Sequence, residues 1–199
     1  MRKFSVRDLA FAAVIAALYF VMSYFSGIFG MTFGPVQIRF GEALTVLPFL
    51  FPASAPGLVV GCLITNLMSP YGPVDIIFGT LATAIAAWFT LRGPKWYLAG
   101  LPPILANMVI LCPMWAWAEV GAVNDAFWAS LDYNAVTFAV GEAVACYVLG
   151  TLLLAVLPRV PFAQAGRGLS RITLPLSLPP AGGKVPTKGA DEGAERVSS

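Results

Sequence analysis

The sequence predicts an all-α membrane protein, a bundle of about six transmembrane helices whose second and third members are short and whose N- and C-termini are cytoplasmic. Three observations predict it. Of 199 residues, 58% are hydrophobic and 11% are charged, against about 25% charged in a soluble domain. With a mean hydropathy of +0.79, the chain has more apolar surface than a core of this size can shelter, so the excess faces lipid. Gly, Pro and charged residues break the apolar sequence into six runs. Basic residues collect in alternate connections, as the positive-inside rule requires.

The first run, Leu9–Phe29, follows Arg2, Lys3 and Arg7. It is too long for a signal-peptide core and lacks an Ala-x-Ala cleavage pattern, so it reads as a retained membrane helix. Glu42–Phe51 and Pro56–Met68 fall short of the ~20 residues that cross a bilayer of roughly 30 Å. They read either as two short spans inside a bundle or as one re-entrant hairpin, since irregular backbone is tolerated only where protein or a cavity surrounds it. Pro73–Leu91, Leu98–Trp117 and Asn134–Leu157 are long enough to span.

With the N-terminus inside, the inner segments hold Arg2, Lys3 and Arg7, then Arg92 and Lys95, then Arg159, Arg167 and Arg171. The outer loops hold Arg39 and the acids Glu119, Asp125 and Asp132. After Pro158 the chain is rich in Pro, Gly and Ser, with no aromatic beyond Phe162. Little there offsets the entropy of ordering. Residues 1–158 are thus expected to form a transmembrane substrate-binding domain and 159–199 a disordered cytoplasmic tail.

Several function classes are excluded. A formal charge of +2 does not argue for nucleic acid, and the absence of histidine removes His-based triads and His-Glu-x-x-His zinc sites. Cys62, Cys112 and Cys146 are far apart, lie in apolar stretches and lack Cys-x-x-Cys spacing, so they read as buried thiols, with no metal or other cofactor implied. The missing internal repeat counts against an inverted-repeat carrier.

The polar residues inside apolar runs carry the remaining signal. Arg39 and Glu42, three apart at the start of the second run, suit a structural ion pair at a helix N-terminus or a polar wall for a ligand. Asn66 closes the third run, and Asp75 follows Gly72-Pro73 in the first turn of the fourth, as a helix cap or a site residue. Asn107 is mid-helix and needs a partner. Glu142 sits about eight residues into the last run, roughly 12 Å from its outer end, with no basic residue on its own helix. An ionisable group at that depth is a functional-site hypothesis by default, and a salt bridge to Arg39 is the structural alternative.

Under the orientation above, Arg39, Glu42, Asn66, Asp75 and Glu142 fall in the outer half, so a pocket open to the outside is expected. Trp115, Trp117, Phe127 and Trp128 flank the last outer loop, as interfacial anchors or as stacking surfaces for a flat ligand. Carboxylates beside an Arg and amides suit a planar heterocycle with several N–H donors. On the first helix, Ala12, Ala13, Ala16 and Ala17 form two small-xxx-small pairs, a strip for close approach by another helix, internal or external.

The run Val36-Gln37-Ile38-Arg39-Phe40-Gly41-Glu42-Ala43-Leu44-Thr45-Val46-Leu47-Pro48, then Pro56-Gly57-Leu58, Gly61-Cys62, Asn66 and Asp75-Ile76-Ile77-Phe78-Gly79-Thr80-Leu81-Ala82-Thr83, resembles the queuosine-precursor transporter (QueT) family. The likeness covers most of residues 5–158 and is most specific in Val36–Pro48 and Asp75–Thr83. Members are substrate-binding S components of energy-coupling factor (ECF) transporters. The resemblance implies a six-helix protein of the cell membrane that captures a 7-deazaguanine precursor of queuosine outside. Import then depends on a transmembrane coupling subunit and two cytoplasmic ATPases. It also implies that Ala12–Ala17 is a docking strip for the coupling subunit. Consistent with dependence on partners, the sequence holds no Gly-x-x-x-x-Gly-Lys-Ser/Thr phosphate loop.

Arg39, Glu42, Asn66, Asp75, Asn107 and Glu142 are therefore the expected substrate-binding residues. The rival readings are a stand-alone proton-coupled carrier with Glu142 as coupling carboxylate, and an assembly protein whose buried acids are ion-paired. An enzyme is not expected, since Asp75 and Glu142 match no intramembrane protease pattern.

Overall fold

The computed structural model describes residues 4–33 and 38–156, and these are helical throughout apart from turns and connections. The tail expected over 159–199 lies outside the described residues. Six helical segments form the bundle, and four are long and apolar enough to cross a membrane. The protein is a multi-pass membrane protein.

Helix α1 spans Val6–Ile28. Ser5 accepts the Asp8 N–H at 3.2 Å while the Asp8 carboxylate accepts the Ser5 N–H at 3.0 Å, a reciprocal capping box that satisfies two orphan donors. Its buried face is Ala12, Ile15, Ala16, Tyr19, Ser23 and Ser26, whereas Val14, Leu18, Val21 and Phe25 are exposed. This helix is inverted relative to a soluble one: its polar and small residues point inward.

Helix α2, Phe40–Phe49, is a 3₁₀ helix of ten residues in which everything from Gly41 onward is buried. Such runs rarely exceed four residues. At ~2.0 Å per residue it reaches about 20 Å, where an α-helix of equal length reaches about 15 Å, and burial on all sides supplies what the strained hydrogen bonds do not. Helix α3, Ser54–Asn66, returns antiparallel. It presses Gly57 and Gly61 onto α1: an added Cβ would lie 2.3 Å from the Ala12 carbonyl oxygen and 2.8 Å from that of Ala16.

The turn between α2 and α3 sits beside the start of α1, with the Phe11 and Phe51 rings 5.5 Å apart. Phe49 also shares a cavity wall with Arg92 and Gly93, whereas the other ends of the pair meet where Arg39 donates to Asn66. The two short helices therefore lie side by side against α1, from the level of Phe11 at their shared turn to that of Tyr19 and Ser23 at the start of α2.

Helix α4, Asp75–Arg92, opens in π geometry over Asp75–Gly79 and continues as α-helix over Thr80–Arg92. Helix α5, Trp96–Val120, begins with a 3₁₀ turn and ends at Gly121, whose φ of +73° is the left-handed stop that favours glycine.

Helix α6, Asp125–Val156, is 32 residues long and widens to π geometry over Val144–Leu149. It begins nine residues before the expected Asn134. Asn124 accepts the Phe127 N–H at 3.0 Å and so caps it, and the acids Asp125 and Asp132 interrupt the hydropathy of the opening turns. Glu142 consequently lies 17 residues from the Asp125 end, about 25 Å, at the middle of the helix rather than within 12 Å of its end.

Candidate functional site

Each acidic candidate stands at a departure from regular α-helix. Glu42 is in the 3₁₀ helix, Asp75 starts the π turn of α4, and Glu142 sits two residues before the π turn of α6. Irregular turns of this kind re-aim side chains and recur at functional sites.

Around Glu42 four elements converge. Tyr19 of α1, fully buried, donates its phenol to Oε1 of Glu42. The Arg39 guanidinium lies 3.9 Å from the same oxygen, so the expected i,i+3 ion pair is present. Arg39 also donates from Nη1 to Asn66 Oδ1 and from Nη2 to the Thr32 carbonyl, both at 3.4 Å, and sits 5.4 Å from the Phe33 ring centroid. Asn66 Nδ2 donates to the Asp75 carbonyl at 2.8 Å, which ties α3 to the opening turn of α4.

Asp75 is not a helix cap. Its carboxylate accepts from Trp115 Nε1 at 2.7 Å and from the Ser69 hydroxyl. Trp115 stacks on Tyr71 with centroids 4.7 Å apart and meets Phe138 edge-on at 5.1 Å. Burial, with the negative charges of Glu119 and Asp75 nearby, pushes the Tyr71 phenol pKa up.

Glu142 accepts from Asn107 Nδ2 at 2.7 Å, and the Cys146 thiol approaches its other oxygen at 3.6 Å. That thiol is also 3.6 Å from the Glu42 carbonyl and 3.5 Å from the Thr45 hydroxyl. It joins the Glu142 group to α2. Among the described residues Arg39 is ion-paired with Glu42 and not with Glu142.

The structure thus brings Arg39, Glu42, Asn66, Asp75, Asn107 and Glu142 into one connected polar interior. All are buried, at 1–6% exposure, so the expected opening is closed in this conformation. Two cavities lie elsewhere. One of about 360 Å³ is lined by Phe49, Leu91, Arg92, Gly93 and Pro94, and one of about 240 Å³ lies between α1 and α3 beside Phe33. Glu42, Asp75 and Glu142 line neither. Four buried side-chain atoms have no hydrogen-bond partner among the described residues: Glu42 Oε2, Arg39 Nε, Ser23 Oγ and Thr80 Oγ1. Buried polar groups are normally satisfied, and two of these four belong to the same ion pair. No group of three Cys, Asp or Glu among the described residues is placed to hold a metal.

The aromatic candidates separate. Trp115 is buried in the interior, Trp117 and Trp128 are about half exposed, and Phe127 is nearly covered. The alanine strip separates as well. Ala12 and Ala16 are buried against α3, while Ala13 and Ala17 are exposed. Tyr19 and Ser23 were not among the expected residues, although Ala12, Ala16, Tyr19, Ser23 and Ser26 recur at helical spacing on one face of α1. That small and polar stripe was the signal.

The profile of the QueT transporter family matches residues 9–159. A curated relative, the queuosine precursor transporter QueT of Lactococcus lactis subsp. cremoris, is 32% identical over 85 residues. The match covers 43% of this chain and 50% of the relative, so it spans about half the length of that protein. No solved structure matches the chain.

Proposed function

The chain belongs to the QueT transporter family, and on that premise we propose that it is the substrate-capture component of an ECF-type importer for a 7-deazaguanine queuosine precursor. One observation carries the reading. Three carboxylates, of Glu42, Asp75 and Glu142, and one guanidinium, of Arg39, are buried together in an apolar bundle, with Glu42 Oε2 and Arg39 Nε without a hydrogen-bond partner among the described residues.

Ionisable groups inside a membrane protein are costly, by a few kcal/mol each or more. Three acids against one base is a poor arrangement for stability alone. It is a good one for a ligand rich in N–H donors. A guanine-type base offers a ring N–H and an exocyclic amine to carboxylates and a carbonyl to Arg or amide donors. A third carboxylate suits an attached amine.

Capture alone moves nothing across the membrane, and the sequence holds no phosphate-binding loop. Energy in this proposal comes from two cytoplasmic ATPases acting through a transmembrane coupling subunit, with exposed Ala13 and Ala17 as part of the contact. In this proposal the termini are cytoplasmic, a reading supported by the basic residues Arg7, Arg92 and Lys95.

The test is uptake of 7-deazaguanine into vesicles. Uptake that requires the ATPase partners and ATP is expected. Uptake by this chain alone that follows a pH gradient contradicts the reading and favours a proton-coupled carrier working through Glu142.

A further inference from the structure

Helices α1 and α3 form a wedge. Toward one end Gly57 and Gly61 press onto the Ala12 and Ala16 carbonyls and leave no room for a methyl group. One turn beyond Gly61 the same pair parts around the cavity of about 240 Å³, whose walls include Ser23, Tyr24 and Gly27 of α1, Phe33, and Thr65 and Met68. Tyr24 and Met68 are about half exposed, so this cavity opens on the surface of the bundle.

Its inner wall adjoins the buried cluster at three points. An added Cβ at Gly41 would run into the Ser23 hydroxyl, so Ser23 lies against the residue that precedes Glu42. The Phe33 ring centroid is 5.4 Å from the Arg39 guanidinium carbon. Thr65 precedes Asn66, which accepts from Arg39 at 3.4 Å. The Ser23 hydroxyl is itself unusual. A helical serine commonly bonds to a carbonyl one turn back, as Ser26 does to Ser23 at 2.9 Å. Ser23 Oγ is fully buried and has no hydrogen-bond partner among the described residues.

We infer that the cavity between α1 and α3 is the route by which a flat base reaches Arg39, Glu42 and Asn66, passing the Ser23 hydroxyl on the way. The inference rests on the proposal that the buried cluster binds such a base, and it adds the way in. The faces of Tyr24 and Phe33 suit a planar ligand. The volume falls below the ~300 Å³ at which ligand pockets begin, which suits passage more than residence. On the Asp75 side, the stacked rings of Trp115 and Tyr71 close the interior instead. The glycine contacts hold the narrow end of the wedge together while its wide end admits the ligand.

An obstruction on a path slows entry and exit by the same factor and leaves affinity unchanged, whereas damage to a site changes affinity. The experiment places a removable plug in the cavity of the full-length protein. Met68→Cys and, from the facing wall, Tyr24→Cys are each labelled with a bulky methanethiosulfonate, whose disulfide dithiothreitol reverses. Wild type treated likewise is one control, since Cys62, Cys112 and Cys146 are buried. Leu67→Cys, exposed but not lining the cavity, is the other. With the label at 68 or 24, association and dissociation of 7-deazaguanine are both expected to slow about tenfold or more, with Kd within about twofold of the unlabelled protein. Dithiothreitol restores both rates, and the label at 67 changes neither.

If one cavity variant does not purify folded, the other decides. Rates unchanged by the plug overturn the inference. So does slowed association with dissociation unaltered, because the label then acts on the site, and so does equal slowing by the label at 67. Unlabelled wild type that does not bind 7-deazaguanine removes the binding-site reading and this inference with it. Wild type that binds it, with rates insensitive to the plug, removes this inference only.

Discussion

The indole nitrogen of Trp115 donates to Oδ1 of Asp75 at 2.7 Å, across the interface between α5 and α4. The same ring stacks on Tyr71 in the connection that leads into α4. One side chain therefore holds a buried carboxylate and covers it. Trp115→Phe keeps most of the stacking surface and removes the donor. Destabilisation of about 1–3 kcal/mol is expected from the carboxylate left short of a partner, read as unfolding in detergent. Stability within error of wild type contradicts the assignment.

The contact of α1 with α3 leaves no room for a methyl group. A Cβ at Gly57 would sit 2.3 Å from the Ala12 carbonyl oxygen, which is backbone and cannot turn away. Gly57→Ala is expected to destabilise the protein by about 1–3 kcal/mol through overpacking. Ala17→Val, on the exposed face of α1, is expected to change stability by less than about 0.5 kcal/mol. Equal effects from the two in the same unfolding assay contradict this division of the helix.

That division also bears on partners. Ala13→Trp and Ala17→Trp add bulk where α1 is exposed, away from the Tyr19–Glu42 contact. Affinity for 7-deazaguanine in detergent is expected to stay within about twofold of wild type, a change under ~0.5 kcal/mol. Uptake with the coupling proteins present is expected to be lost. Full uptake by both variants places the docking surface elsewhere.

Much of this architecture was legible in the sequence because lipid imposes a length and a polarity on every span. The four long helices follow from runs of apolar residues, and the gathering of Arg39, Glu42, Asn66, Asp75, Asn107 and Glu142 follows from the cost of exposing them to hydrocarbon. Local backbone geometry was not legible. Nothing in Phe40–Phe49 signals a ten-residue 3₁₀ helix, whose strain is offset by burial that only the finished bundle provides. The start of α6 was not legible because Asp125 and Asp132 interrupt its apolar run, although Asn124 was a visible cap. Tyr19 looked like any aromatic in an apolar helix until its buried phenol was found against Glu42.

Glu142 is held by Asn107 at 2.7 Å and has no ion pair among the described residues. Glu142→Gln keeps the size of the side chain and removes its charge. A loss of at least tenfold in affinity for 7-deazaguanine is expected, about 1.4 kcal/mol, measured by titration in detergent. Unchanged affinity removes Glu142 from the site.

The central claim is that the buried acids and Arg39 form a binding site for a small molecule. Mass spectrometry of what is released on denaturing gently purified protein tests it most directly. A 7-deazaguanine-type base is expected in near-stoichiometric amount from wild type and at strongly reduced amount from Glu42→Gln. Wild-type protein that is folded and releases no such base, or a variant that retains it fully, contradicts the claim.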